Sequence, residues 1–193
     1  MRVESSSRNL VLFLLASCAL LWACSSTASV SKAFSVRQLG EDRVKTASVC
    51  LGDVDGDGDL DVSVANGRHW PGQNQVYLNK DGRFETVRNA GDAAETSYAA
   101  VLGDLDRDGD LDMVVGNDRL PNRVFWNDGK GNFTPGAVLG ATDSNTRGIC
   151  LADLNGDGWL DVVVANRQEK NQVFINAGAG NFRDASFVGA PEG

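Results

Sequence analysis

VCLGDVDGDGDLDVSVAN, residues 49–66, returns without a gap as AVLGDLDRDGDLDMVVGN at 100–117 and as ICLADLNGDGWLDVVVAN at 149–166. The leading aspartates of the three copies, Asp53, Asp104 and Asp153, stand 51 and 49 residues apart. The likeness runs on into NQVYLNKDGRF (74–84), NRVFWNDGKGNF (122–133) and NQVFINAGAGNF (171–182), so each copy holds a complete supersecondary unit of about fifty residues. Within a copy the apolar residues keep a period of two, and no segment sustains a helical period. In the first copy this predicts strands at 47–52, 61–65, 75–79 and 83–87. Val62 and Val64 then share one face, as do Met113 with Val115 and Val162 with Val164. The glycines of Lys80-Asp81-Gly82, Asp128-Gly129-Lys130-Gly131 and Ala177-Gly178-Ala179-Gly180 supply the positive φ that hairpin turns demand. Strands this short, covered on both sides by neighbouring sheets, predict an all-β fold: propeller-like blades of four antiparallel strands, about three repeats, a partial propeller.

Between the first two strands of every copy lies the pattern D-x-[DN]-x-D-G-x-x-D, in loops 53–61, 104–112 and 153–161. The first loop offers Asp53, Asp55, Asp57 and Asp61 by their carboxylates and Asp59 by its carbonyl; the second offers Asp104, Asp106, Asp108 and Asp112, with Asp110 by its carbonyl. In the third the set is Asp153, Asn155, Asp157 and Asp161, with Trp159 by its carbonyl. Alternate placement aims the side chains at one centre, and the glycine at the sixth place allows the sharp turn an oxygen cage needs. Without a cation these carboxylates would repel one another. Asp and Gly are common in any turn, but three loops in one register carry more than turn chemistry. Hard oxygen donors in this number select calcium, about three ions in all, and no Cys or His cluster offers a home for zinc or copper. An EF-hand is excluded, because its twelfth place needs a bidentate Glu and here holds Val64, Val115 and Val164.

On these residues the span from about Phe34 to Val188 resembles the FG-GAP or VCBS repeat family, whose typical copy reads close to GDVDGDGDLDLVVAN followed by VYLNDGxGxF; Gly103-Asp104 to Asn117 and Asn127 to Phe133 fit it almost residue for residue. Integrin α-chain heads are its best-known relatives. The resemblance implies a β-propeller with calcium in the loops between first and second strands, export from the cytoplasm, and use in adhesion or as a module beside other domains. Two departures stand out. Three copies fall short of the four or more blades of known rings, and NFRDASFVGAPEG stops where a fourth copy would begin. A fragment, an open stack and self-association that completes the ring all fit. Phe34 to Leu39 reads as a last strand lacking its own blade, which leaves sticky edges and favours self-association.

Outward from the repeats, the N-terminus has the order of a secretory signal: Arg2 and Arg8 precede the apolar run Leu10 to Ala23. Fourteen apolar residues are too few to span a bilayer comfortably. The run ends in two lipobox-like cysteines, Cys24 with the better flanks and Cys18 with the better motif. The expected organisation is therefore a signal peptide at 1–23, a polar linker at 24–33 and three repeats at 34–193. The chain would be exported, lipid-anchored to a bacterial envelope through Cys24 or Cys18, or secreted or periplasmic, and would touch a membrane only through that anchor. Cys50 and Cys150 align with Val101, which reads as a packing position and predicts buried thiols.

A net charge of −8 argues against nucleic acid, whose phosphates call for a basic surface. Thirteen of the 26 acidic residues fall in the three loops, which is the distribution of chelating turns and not of an acidic tail. His69, the only histidine, has no nucleophile near it in sequence and reads as a solvated loop residue. Arg68, Trp70, Arg119, Arg167 and Lys170 fall in equivalent loops at the opposite end of the strands, which in the integrin-like arrangement is the ligand face. Asn66, Asn117 and Asn166, like Asn79, Asn127 and Asn176, have the turn chemistry of structural residues, and Phe84, Phe133 and Phe182 that of core between blades. The functional expectation is a calcium-binding module for a protein or glycan ligand, not an enzyme. The competing reading is the propeller portion or accessory domain of a secreted polysaccharide-degrading or phospholipase-like enzyme, but Glu41, Glu85, Glu95 and Glu169 lie in unlike places and form no catalytic pair.

Overall fold

The computed structural model describes residues 39–40, 43–140 and 143–188. The expected signal peptide, the linker and residues 34–38 lie outside the described residues. Twelve strands follow one another: β1 (Thr46–Gly52), β2 (Asp61–Asn66), β3 (Gln75–Lys80), β4 (Arg83–Asn89), β5 (Ser97–Gly103), β6 (Asp112–Asn117), β7 (Asn122–Asn127), β8 (Phe133–Leu139), β9 (Thr146–Ala152), β10 (Asp161–Asn166), β11 (Asn171–Asn176) and β12 (Phe182–Val188). They form three antiparallel meanders of four, β1–β4, β5–β8 and β9–β12, one per sequence repeat. The four strands expected in the first copy are present, each longer by one or two residues.

Register is conserved with the sequence. Leu51 opposes Val62 and Val62 opposes Tyr77; Leu102, Met113 and Phe125 make the same row in the second blade, and Leu151, Val162 and Phe174 in the third. Because side chains alternate across a strand, each blade has two apolar faces. The front carries the rows just named. On the back stand Ala65, Val76 and Leu78 in the first blade and Val114, Val124 and Trp126 in the second.

The core lies between blades. One seam joins the back of the first blade, through Val54, Ala65, Val76 and Leu78, to Ala100, Met113, Val115 and Phe125 on the front of the second, with Leu102 and Leu111 against it. The other joins Leu105, Val114 and Val124 to Val162, Val164 and Phe174, with Ile149, Leu151 and Leu160 against it. Each buried side chain of this size contributes roughly 1.5–3 kcal/mol relative to exposure. Close approach depends on two glycines: a Cβ at Gly52 would lie 2.7 Å from Leu111 Cδ1, and one at Gly103 would lie 2.6 Å from Leu151 Cδ1. Phe133 belongs to the first seam and Phe182 packs on the second, as expected of core between blades, whereas Phe84 is only half-buried.

Two expectations need correction. Among the described residues only the middle blade is covered on both sides: every residue of β6 is buried, whereas β10 has Val163 half-buried and Ala165 exposed. For the same reason the thiols are not both buried. Val101 packs into the second seam, but Cys150 occupies its place on the back of the last blade and is exposed; Cys50 is half-buried, and both are free thiols. Upstream, Gly40 holds φ +73 and its absent Cβ would meet the Tyr77 hydroxyl, just as Gly91 and Gly140 lie against Phe125 and Phe174. The repeat register therefore begins before β1.

Candidate metal centres

Each strand-to-strand loop is built around its leading aspartate. Asp53 accepts the amides of Gly56 through Oδ1 (2.8 Å) and Gly58 through Oδ2 (2.9 Å). Asp153 does the same with Gly156 and Gly158, and Asp104 with Arg107 and Gly109. The third and fifth places each accept the amide two residues on: Asp55 from Asp57, Asp57 from Asp59, and likewise Asp106, Asp108, Asn155 and Asp157. Gly56, Gly156 and, unusually for a side chain of its size, Arg107 hold the same left-handed turn, with φ of 72°, 78° and 61°.

The ninth place differs. Asp61, Asp112 and Asp161 are buried, and each clamps two segments. Asp61 accepts Val54 N with Oδ2 (2.8 Å) and Asn79 N with Oδ1 (2.7 Å); Asp112 accepts from Leu105 and Asn127, and Asp161 from Leu154 and Asn176. These aspartates therefore fasten the loop to the third strand of the same blade.

The arrangement draws carboxylates together. Ligand oxygens of Asp53, Asp55 and Asp61 lie within 4.8 Å of one another, and so do those of Asp104, Asp106 and Asp108. In the third loop Asn155 replaces an aspartate and donates its amide to Asp157 Oδ2 (2.8 Å), and among the described residues no carboxylate triad forms there. Crowding and burial tell on the protons. Burial pushes the Asp112 carboxyl up to about 6, with the negative charges of Asp106 and Asp108 adding to it, and it raises Asp61 and Asp106 as well. Asp57 moves down instead, because Lys80 Nζ stands 2.7 Å from its Oδ2; Asp157 is held down by the Trp159 amide and Asn155.

Of the side chains at the seventh place, Asp59 turns to the Asp81 amide (2.8 Å), and the Trp159 ring lies under the Arg107 guanidinium at 4.4 Å. That Arg107 also donates to the Gly158 carbonyl (3.1 Å), tying the second loop to the third. Neither Lys80 nor Arg107 was singled out by sequence, since each acts on a loop or turn distant along the chain. Oxygen donors alone, several of them charged and set on alternate residues, can hold a hard divalent cation, and among the described residues no nitrogen or sulfur ligand joins them.

At the other end of the strands the Asn pairs close the hairpins. Asn66 takes the side-chain oxygen of Asn74 on its amide and gives Nδ2 to Gln73 O; Asn117 with Asn122 and Asn166 with Asn171 repeat the clasp. His69 is exposed, as expected, but it is not simply solvated. Its Nδ1 lies 3.2 Å from Asp118 Oδ2 and its Nε2 2.9 Å from the Tyr98 hydroxyl, while Arg147 reaches the same buried Asp118 at 2.9 Å. Around them Lys45 lies over Trp70 and Arg147 over Tyr98. Arg68, Trp70, Arg119, Arg167 and Lys170 are all exposed at this end.

A family model described as an FG-GAP-like repeat matches the chain three times, at residues 53–115, 104–164 and 153–192, each match beginning at the leading aspartate of a loop. A search of curated proteins gave no match.

Proposed function

We propose, from the premise that this chain belongs to the FG-GAP-like repeat family, that it is a calcium-stabilised, non-catalytic repeat module, carried outside the cytoplasm, that binds a protein or glycan. The observation that supports calcium is the convergence of Asp53, Asp55 and Asp61, and of Asp104, Asp106 and Asp108, within 4.8 Å. Carboxylates so close are mutually repulsive unless a cation or protons lie among them. About three ions, one per loop, would be held by loops 53–61, 104–112 and 153–161, at the affinity of extracellular modules, on the order of 10⁻⁴ to 10⁻³ M. Bound there, calcium would neutralise the crowded charge and fix each loop. Export rests on the Arg-led apolar run at the N-terminus, and anchoring on Cys24 or Cys18 at its end. The ligand surface would be the opposite end of the strands, where exposed Arg68 lies over Tyr98 and Trp70 beside His69, with Arg119 exposed at the same end; a cationic and aromatic surface of this kind suits an acidic glycan or acidic peptide.

Calorimetric titration of chelator-treated protein with calcium tests the reading. About three ions should bind, magnesium should compete poorly, and Asp53→Asn with Asp104→Asn should remove two of the sites. A flat titration with an unchanged melting curve would sink it.

A further inference from the structure

The two seams between blades follow one plan, and the chain holds both halves of a third that is not made among the described residues. Leu102 and Leu111 on the second blade, and Ile149, Leu151 and Leu160 on the third, pack against the seam in front of them. Their equivalents on the first blade, Val49, Leu51 and Leu60, are 62%, 59% and 57% exposed. On the other side, Val54 and Leu105 are the buried anchors that the first and second blades offer to the blade behind, and their equivalent, Leu154, is 52% exposed. Four apolar positions that close a seam inside the chain are thus repeated, uncovered, at one end or the other: Val49, Leu51 and Leu60 at the front and Leu154 at the back.

A hydrogen bond carries the same message with more direction. Asn127 of the second blade donates Nδ2 to the Val54 carbonyl of the first (2.8 Å), and Asn176 of the third donates to the Leu105 carbonyl of the second (2.7 Å). In the first blade Asn79 donates only to its own blade, at Leu60 O, and its buried Oδ1 has no partner among the described residues. At the other end no hydrogen bond among the described residues reaches the Leu154 carbonyl. Donor and acceptor of the unmade bond lie at opposite ends of the chain.

We propose that the protein associates head to tail with a second copy of itself, the front of the first blade receiving the back of the third blade of the other copy, with Asn79 donating to Leu154 O. An interface between unlike faces closes on itself only if the blades complete a ring. Closed propellers have about four to eight blades, so two copies of the three described blades close one and three copies do not. The second copy is favoured over another occupant because the seams of Val54–Phe133 and Val101–Phe182 already display this contact at equivalent positions and in the same register. One difference is local: Ala152 stands where Gly52 and Gly103 let leucine tips in to within 2.7 and 2.6 Å of an added Cβ, so the flexible tips of Leu51 and Leu60 must swing aside.

Sedimentation of the chain as exported, with calcium present, should show twice the chain mass. Leu51→Glu and Leu154→Glu, both at exposed positions and each checked for an unchanged melting temperature, should each sediment as a single chain. An equimolar mixture of the two variants retains one good interface, the back of the first variant on the front of the second, and should regain dimer. Asn79→Ala should weaken association about two- to tenfold. A wild-type chain that stays single at high concentration overturns the proposal, even if calcium still stabilises it. So does a Leu154→Glu variant that remains dimeric, which would mean a front-to-front contact, or a single chain whose open faces bind lipid vesicles.

Discussion

Lys80 brings the first loop a cation of its own, an ammonium 2.7 Å from Asp57 Oδ2. Any ion entering that loop must displace it, so Lys80→Ala should tighten calcium binding at the first site a few-fold and leave the other two unchanged; titration of the variant would read this directly. Asp112 makes the opposite kind of statement. Its folded pKa, about 6, stands above the ordinary 3.8, so the folded protein holds this proton more tightly than the unfolded chain. Stability from that group is full below the unfolded value and is lost as pH rises through about 6. In chelator, the melting temperature should therefore be higher near pH 5 than near pH 7, and Asp112→Asn should flatten the difference. In calcium the slope should reverse, because proton and metal compete for the same oxygens. A chelated protein whose melting temperature rises steadily across this range would contradict the burial argument. The identity of these aspartates was legible in the sequence, because alternate spacing is a property of the string. That the ninth aspartate clamps two backbone amides of its own blade was not, since one of its partners comes from the third strand, eighteen residues away in the first copy.

Strands and repeats were legible almost to their ends, because a period of two and the glycine-bearing turns act locally. What packs on what was not. Val101 reads correctly as a packing position, yet the inference fails for Cys150, since no blade among the described residues covers it on that side. The inter-blade pegs were hidden for the same reason: Asn127 and Asn176 looked like turn residues, and they are, but each also reaches a carbonyl more than seventy residues away. Asn127→Ala leaves the buried Val54 carbonyl unpaired and frees the Gly131 amide, so it should cost about 1–3 kcal/mol. Asn79→Ala, lacking the inter-blade bond within its own chain, should cost the isolated chain clearly less. Denaturant melts of the two variants under dissociating conditions decide the point; equal losses would mean that the peg is only a turn device. The Gly131 bond also explains why Asn79 Oδ1 is left over. In its shorter turn, Lys80-Asp81-Gly82, the amide two residues on, Asp81 N, goes to Asp59 instead, whereas Gly131 and Gly178 donate to Asn127 and Asn176.

Across the whole molecule, the seams and the loops depend on each other, because every loop begins at a strand that lines a seam and ends at a buried aspartate. Fixing the loops should therefore stabilise the blades together. A site with affinity on the order of 10⁻⁴ to 10⁻³ M in about 10 mM calcium adds roughly 1.4–2.7 kcal/mol by mass action, and three such sites roughly 4–8 kcal/mol. At about 2–4 °C per kcal/mol for a domain of this size, chelation should lower the melting temperature by at least about 8 °C. The sites should not contribute equally. The third loop has an asparagine at its third place and shows no triad, so it should fill last as calcium rises. It also holds Trp159, packed under Arg107, which makes its occupancy visible: terbium replacing calcium there should glow through energy transfer from the indole, and Trp159→Phe should dim it. If that luminescence saturates before heat from the other two sites appears, the third loop is the tightest and the charge count is not what ranks them. If chelation leaves the melting curve in place, the loops hold their own geometry through the amide bonds of Asp53, Asp104 and Asp153 alone, and the ions have no structural part.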